Sequence, residues 1–104
     1  MRRANKQAPV SYKLSRKAEE DIARVYVEGA RLFGPRQAAA YHAGLEQMFT
    51  VLAEHPRLAR ERDEIPPPVR VHPYRSHIVI YVIEGDDILV VRVRHGREDW
   101  DSTV

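Results

Sequence analysis

The segment VRVHPYRSHIVIYVIEGDDILVVRV, residues 69–93, decides the fold of this chain. It contains three runs rich in β-branched residues, at 69–74, 77–83 and 87–93. Such residues favour strands because their side chains pack well on a pleated surface. The residues EGD at 84–86 supply a hairpin turn between the last two runs. The segment therefore predicts a three-stranded antiparallel meander.

Two helices are predicted before this meander. Ser15 is a suitable N-cap, and the acidic residues at 19–21 favour the positive end of a helix that begins there. Gly34 accepts the conformation that ends a helix, and Pro35 is tolerated at the first position of the next one. Two helices joined this closely form a hairpin.

Apolar residues recur at spacings of three and four in both predicted helices, so each helix has one face that is expected to be core. In the first helix these residues are Ala18, Ile22, Val25, Tyr26, Gly29 and Leu32. In the second they are Ala38, Tyr41, Leu45, Met48, Phe49 and Leu52. His42 lies on the same face of the second helix, where we expect a packed or edge histidine because no second metal ligand lies one turn away.

The remaining segments complete a single domain. VSYKL at 10–14 predicts a short first strand, and RLARERDEIPPP at 57–68 predicts an exposed connector. We therefore predict one α+β domain over residues 1–104, in the order strand, helix hairpin, three-stranded antiparallel meander. The hairpin is expected to cover one sheet face, the first strand to join a sheet edge, and residues 1–9 to form a flexible N-terminal segment.

Composition limits the possible functions. The chain has no cysteine, which excludes disulfides and thiolate metal sites. The longest wholly apolar stretch, at 78–83, is too short to span a bilayer, and MRRANKQAP at 1–9 is not followed by the apolar region of a signal peptide. With 17 basic and 15 acidic residues, the net charge of +2 gives little support for binding nucleic acid. We expect a cytoplasmic protein with neither membrane attachment nor sequence-specific nucleic-acid binding.

Motifs for enzyme chemistry or cofactor binding are not found in the sequence. The five histidines are scattered without the spacing of a metal-ligand pair. The five glycines are isolated, so no phosphate-binding loop is formed. The serines lack the context of a nucleophile elbow. We therefore predict no catalytic residue, no metal and no cofactor.

The last strand becomes basic at its end. Strict alternation places Arg92 and Arg94 on one face with Ile88 and Val90, and places Leu89, Val91 and Val93 on the other. Arg70 and Arg75 can add to this basic face. The alternative interpretation is that these arginines pair with nearby acids and only solvate the sheet.

The tail RVRHGREDW, residues 92–100, extends beyond the apolar pattern. Gly96 lets the chain turn away from the strand, and His95 is expected to hydrogen-bond this turn, with a role as a general base as the alternative. Arg97 and Trp100 are residue types that often dominate protein contacts. The alternative for Trp100 is that it covers the sheet face beside the arginines of the last strand, through apolar and cation–π contact.

Several segments together resemble the ParE toxins of the RelE/ParE superfamily. They are, in chain order, LSRKAEEDI, FGPRQAAAYHAGL, AEHPRL and RSHIVIYVIEGDDILVVRVRHGRED, and the resemblance as a whole covers Tyr12 to Asp99. The closing RVRHGRED is similar to the usual ending of the family, except that Arg94 stands where the family usually has an apolar residue. The resemblance implies a toxin of a type II toxin–antitoxin pair that binds DNA gyrase and is neutralised by a ParD-like antitoxin in a hetero-oligomer.

Two surfaces follow as expectations. The residues expected to bind the target are Arg94, His95, Arg97 and Trp100. An amphipathic helix and an extended segment of the antitoxin are expected to lie against the first helix and the sheet. The residues expected at that contact are Ile22, Tyr26, Arg70, Arg75 and Arg92.

Two other functions remain as alternatives. The first is a RelE-like ribosome-dependent messenger RNA endoribonuclease. Arg97 aligns with a tail arginine of those enzymes, but Ile78 stands where they carry a catalytic arginine, and residues 101–103 stand where they carry a tyrosine. The second is an interaction module without toxicity.

Overall fold

A mixed sheet with a helix hairpin on one face forms the fold in a computed structural model, which describes residues 11–97. The elements are β1 (Tyr12–Leu14), α1 (Arg16–Phe33), α2 (Pro35–Glu54), β2 (Glu61–Arg62), β3 (Val69–Tyr74), β4 (His77–Glu84) and β5 (Asp87–His95). The strand order is β1-β5-β4-β3-β2. The predicted N-terminal segment at 1–9 lies outside the described residues. The α+β class and the antiparallel meander of β3, β4 and β5 are confirmed.

The two sheet edges carry the short strands. The expected position of the first strand is confirmed, because β1 pairs in parallel with β5 at one edge. The prediction of an exposed connector at 57–68 is wrong in part, since β2 pairs antiparallel with β3 at the other edge and Ala59 and Ile65 are buried. The charged sequence of β2 has no apolar alternation, so its pairing depends on the neighbouring strand rather than on a local signal.

The helix boundaries agree with the predicted signals. The Ser15 side chain accepts a hydrogen bond from the Ala18 N–H at 3.0 Å, which satisfies one free donor at the start of α1. Gly34, with φ of 93°, ends α1, and Pro35 begins α2. Within residues 11–97, no helix is long and apolar enough to cross a membrane.

The sheet has an apolar cluster on each face, because successive residues of β4 point to opposite sides. The cluster under the helices contains Ala18, Ile22, Leu45, Phe49, Leu52, Ala53, Ala59, Val79, Tyr81, Ile88, Val90 and Val93. The smaller cluster contains Ile65, Val69, Val71, Ile78 and Ile80. Ile65 belongs to the connector before β3, so this segment helps to cover the face opposite the helices.

The core prediction for α1 is wrong in its C-terminal half. Tyr26 is 39% exposed and Leu32 is 55% exposed. The buried residues of α1 are Ala18, Asp21 and Ile22, all near its start. The apolar stripe therefore has the expected helical spacing, but only its first part lies over the sheet.

A β-bulge in β5 overturns the predicted faces of this strand. Ile80 pairs with Arg92, whereas Tyr81 pairs with Val90, so β5 has one extra residue at this point. The strict alternation is broken there. As a result, Val93 packs in the same cluster as Val90 rather than on the opposite face.

Asp21, in α1, binds the part of β5 that extends beyond its pairing with β1. The pairing of β1 ends where Leu14 meets Val90. Further along β5, the Asp21 carboxylate accepts a hydrogen bond from the Val93 N–H at 3.0 Å and another from Arg92 Nε at 2.8 Å. The carboxylate thus satisfies a backbone donor that would otherwise need a neighbouring strand.

The charge of Asp21 is retained in spite of its burial. Asp21 is 2% exposed and is the buried charged residue among residues 11–97. Burial alone would raise the pKa of Asp21, but hydrogen bonds from Arg92 and the Val93 N–H, together with the charge of Arg92, hold this pKa below its usual value. Arg24 donates a further hydrogen bond at 3.2 Å.

We expect Asp21→Ala to be strongly destabilising because it removes the carboxylate that balances the buried Arg92 guanidinium. The loss in free energy of unfolding should be about 3–5 kcal/mol, the range for breaking one side of a buried ion pair. Urea denaturation measures it, with Glu20→Ala as the control because Glu20 is exposed on the same helix. A loss equal to that of the control would contradict this role for Asp21.

The stability contributed by Asp21 should also depend on pH. Because its pKa is lower in the folded state, this contribution is fully present above the unfolded pKa of about 3.9 and is lost as the pH falls through the folded pKa. Urea denaturation at pH 7 and at successive values below pH 4 should therefore show the wild type approaching Asp21→Asn in stability. A difference between the two proteins that does not change with pH argues against this assignment.

Candidate functional site

An open groove of about 630 Å³ lies beside the helix hairpin. We call it the hairpin groove. The two helices contribute its apolar wall, which includes Val25, Leu32, Phe33, Ala38 and Leu45. The β3–β4 turn and the end of β5 contribute its polar end, which includes Tyr74, Arg75, Ser76, His77 and His95. A concave apolar surface with a few polar groups at one end is typical of a binding site.

The apolar wall is accessible to a partner. Leu32 is 55% exposed and Phe33 is 63% exposed, although both are large apolar residues. Tyr26 also lines the groove, and its ring packs edge-on against His42 with 5.9 Å between centroids. Contiguous exposed apolar surface of this kind marks an interaction site more often than an isolated apolar residue does.

The polar end contains a cluster of aromatic and imidazole rings. We call Tyr41, Tyr74, His77 and His95 the Tyr–His cluster. The Tyr41 hydroxyl lies 2.7 Å from His77 Nδ1. The ring of Tyr41 contacts that of Tyr74 at 5.2 Å between centroids, and the ring of His77 contacts that of His95 at 5.4 Å. Rings from α2, β3, β4 and β5 thus meet at one end of the groove.

Two further features affect the packing and the hydrogen bonding of the Tyr–His cluster. Gly44 lets Tyr74 approach α2, because a Cβ atom at Gly44 would overlap the Tyr74 hydroxyl. Burial raises the pKa of Tyr41, so its hydroxyl stays protonated at neutral pH and can donate to His77. The cluster therefore presents ring edges and hydrogen-bonding groups, which suit recognition of a partner.

The turn after β5 begins at the rim of the hairpin groove. The Gly96 N–H donates to the Ser76 carbonyl at 2.9 Å, and the Arg97 N–H donates to His95 Nδ1 at 3.1 Å. The expectation that His95 hydrogen-bonds this turn is therefore confirmed. Arg97 itself is exposed.

The structure separates the residues that were expected to bind the target. The Arg94 side chain is 19% exposed, with Nη1 4.0 Å from the Asp21 carboxylate. His95 packs in the Tyr–His cluster, whereas Arg97 is exposed on the turn. Trp100 lies outside the described residues. Arg94 and Arg97 therefore do not share one exposed basic patch.

Among the residues expected at the antitoxin contact, Tyr26 and Arg75 line the hairpin groove. Arg75 is exposed and holds its guanidinium over the Tyr74 ring, 5.8 Å from the centroid. Arg70 lies away from the groove, where it donates to the Ala59 carbonyl at 2.7 Å.

Two residues of that expected contact are instead part of the interior. Ile22 is 8% exposed in the core cluster, so it offers little surface to a partner. The Arg92 side chain is 12% exposed, and its guanidinium donates hydrogen bonds to the Asp21 carboxylate. The helix stripe predicted the burial of Ile22, whereas the position of Arg92 on a basic strand did not reveal its burial.

The sequence reasoning missed most of the groove residues. Phe33 was not considered, and Tyr41 was assigned only to the core face of α2. His77 comes to lie beside Tyr41 although the two residues are 36 positions apart. The histidine spacing gave no signal for this contact. His42 was interpreted correctly as an edge histidine, since it is half-buried against Tyr26.

Comparison with known proteins shows similarity over nearly the whole chain. Residues 12–100 match the family model described as the ParE toxin of the type II toxin–antitoxin system parDE. The chain is 33% identical over 94 residues to Toxin ParE1 of Mycobacterium tuberculosis, with 89% of this chain and 96% of that protein covered. It is 29% identical over 83 residues to Toxin ParE3 of Caulobacter vibrioides, with 80% and 83% covered.

A solved structure has the same fold. The chain superimposes on a protein of the chromosomal ParDE toxin–antitoxin system of P. aeruginosa with a TM-score of 0.71 and 21% sequence identity. The match covers 84% of this chain and 96% of that one. The two chains therefore share the fold on which the hairpin groove and the turn after β5 are built.

Proposed function

The chain belongs to the ParE toxin family of type II toxin–antitoxin systems, and on this basis we propose that it inhibits DNA gyrase by binding and is neutralised by a ParD-like antitoxin in a hetero-oligomer. The observation that carries the proposal is the family match over residues 12–100, which includes both helices, the whole sheet and the turn after β5. Inhibition by binding needs only a surface that prefers one state of the target enzyme.

The turn after β5 is the proposed contact with gyrase. Arg97 is exposed there, the Gly96 N–H donates to the Ser76 carbonyl, and the Arg97 N–H donates to His95 Nδ1 within the turn. A rigid turn loses little conformational entropy on binding. Arginine is also among the residues that most often dominate protein contacts. Trp100, which follows in the same segment, belongs to the same proposed surface.

Ribonuclease activity has less support. Cleavage of RNA needs a cation near the scissile phosphate, where negative charge develops. The position at which RelE-like nucleases carry a catalytic arginine is Ile78 here, and its side chain is buried in the smaller apolar cluster. That position therefore cannot present a cation to RNA. This observation favours binding over cleavage.

The hairpin groove is the proposed antitoxin site. Its apolar wall suits one face of an amphipathic helix, and Arg75 at its polar end suits acidic residues beside that face. Exposed Leu32 and Phe33 supply the apolar contacts. We therefore propose that the antitoxin lies along α1 and at the β3–β4 turn.

Purified protein should inhibit DNA supercoiling by gyrase and leave messenger RNA intact in a translating extract. Arg97→Ala should weaken the inhibition about tenfold or more, equivalent to about 1.4 kcal/mol of lost contact energy. Arg57→Ala is the control because Arg57 is exposed in the connector after α2. Codon-positioned cleavage of the RNA would establish a ribonuclease instead, and inactivity in both assays would indicate a module without toxicity.

The product of the neighbouring reading frame should co-purify with this protein when the two are co-expressed. Arg75→Glu should weaken that complex about tenfold because it repels acidic residues at the groove, whereas Arg57→Glu should leave it unchanged. Titration by calorimetry measures both affinities. The antitoxin proposal is wrong if no neighbouring product binds, and its placement is wrong if the two variants bind equally well.

A further inference from the structure

We propose that His95, supported by His77 and Tyr41, positions Arg97 for its target without contacting the target itself. This role rests on the proposed function, because the turn that carries Arg97 is the proposed gyrase contact. His95 was expected to bind the target directly, whereas Tyr41 and His77 had no expected part in target binding.

Arg97 follows a residue that gives the backbone of the turn unusual freedom. Gly96 lacks a Cβ atom and therefore populates more backbone conformations than any other residue. Arg97 is exposed, so packing of its own side chain does little to restrict this freedom. A turn that presents one arginine to a partner needs another restraint, because disorder in the free state adds to the entropy lost on binding.

Two hydrogen bonds from backbone donors supply this restraint. The Gly96 N–H donates to the Ser76 carbonyl at 2.9 Å, and the Arg97 N–H donates to His95 Nδ1 at 3.1 Å. The second bond joins a side chain to the N–H two residues further along, which is the pattern that asparagine makes in an Asx turn. It requires Nδ1 of His95 to be unprotonated, because only an unprotonated ring nitrogen accepts a hydrogen bond.

The orientation of the His95 ring is limited by contacts with β4 and, through β4, with α2. The His77 ring meets the His95 ring edge-on, with 5.4 Å between centroids and 72° between planes. The Tyr41 hydroxyl lies 2.7 Å from His77 Nδ1, and these two rings also pack edge-on at 5.6 Å between centroids. Each ring thus limits the rotation of the next, and the series ends at the acceptor of the Arg97 N–H.

Tyr41 can anchor this series because its backbone is fixed in the core. Ala38 and Leu45, one turn away on either side in α2, are 4% and 1% exposed. Gly44 lets the Tyr74 hydroxyl approach α2, and the Tyr74 ring packs edge-on against that of Tyr41 at 5.2 Å between centroids. A packed helix therefore carries the first ring of the series, whereas the last ring lies beside the exposed turn.

His95 is less suited than Arg97 to direct contact with a target. Its Nδ1 is bonded within the turn, its ring packs on that of His77, and the residue is half-buried. Arg97 is exposed, and a guanidinium can donate several hydrogen bonds to a partner. Loss of the His95 imidazole should therefore change how Arg97 is presented, rather than remove a contact with the target.

Inhibition of gyrase supercoiling by purified variants tests this positioning role. His95→Phe keeps a ring beside His77 but has no acceptor, so it should raise the concentration needed for inhibition about fivefold, the size expected for one lost hydrogen bond. His95→Asn should restore inhibition to within about twofold of the wild type, because an asparagine side chain can accept from the N–H two residues further along. Inhibition by His95→Asn as weak as that by His95→Phe would contradict the role of the acceptor.

Substitution of Tyr41 tests the other end of the series. Tyr41→Phe keeps the ring but removes the hydroxyl that lies against His77, so it should weaken inhibition about threefold. Tyr26→Phe is the matched control and should inhibit as the wild type does, since Tyr26 lines the same groove but packs on His42. Circular dichroism and a thermal melt establish that each variant is folded. Equal inhibition by folded Tyr41→Phe and Tyr26→Phe would overturn the role of Tyr41.

A double-mutant cycle shows whether His95 acts through Arg97. In the Arg97→Ala background, His95→Phe should have no further effect on inhibition. The same fivefold loss in both backgrounds would mean that His95 contacts the target itself, and the positioning role would then be wrong.

Exchange of backbone amides with water, measured by NMR on the free isotope-labelled protein, tests the turn without gyrase. The Arg97 N–H should exchange several-fold faster in His95→Phe than in the wild type, and slow exchange should return in His95→Asn. The Gly96 N–H is the internal reference, because its acceptor is the Ser76 carbonyl. Unchanged exchange of the Arg97 N–H in His95→Phe would overturn the positioning role. A protein that does not inhibit gyrase would contradict the proposed function, and the exchange result would still decide whether His95 holds the turn.

Discussion

The interaction on which the arrangement of helices and sheet depends is that of Asp21 with Arg92 and the Val93 N–H. Strand β1 is too short to cover the whole edge of β5, so α1 has to supply a partner for the next backbone donor. A carboxylate can do this at low cost only if its charge is balanced, which Arg92 provides. The pair therefore fixes the start of α1 at the sheet edge.

This attachment also explains why the hairpin groove exists. The first turns of α1 are held over the core, while its C-terminal half continues beyond its buried residues and lines the groove together with α2 and the β3–β4 turn. Leu32 and Phe33 consequently remain exposed although their helix is amphipathic. The apolar surface available to a partner is thus a consequence of where the helix is anchored, and no special loop is required to form it.

Local signals predicted the elements, whereas relations between distant segments could not be predicted. Ser15, Gly34 and Pro35 act within a few residues, so their effects on helix ends can be read from the sequence. Helical periodicity identifies one face of a helix but not what lies beneath it, which is why the exposure of Tyr26 was missed. The contact of Tyr41 with His77 was missed for the same reason, since it depends on how the hairpin packs on the sheet.

The arginines at the end of β5 and in the turn after it differ in exposure. Arg94 departs from the apolar residue usual in ParE-like sequences, and a cation there could suggest an enlarged binding surface. In this fold Arg94 Nη1 lies 4.0 Å from the Asp21 carboxylate that also binds Arg92, and the Arg94 side chain is only 19% exposed. Arg97 lies beyond the last strand residue on an exposed, hydrogen-bonded turn. The exposed arginine of this region therefore lies on the turn rather than on the strand.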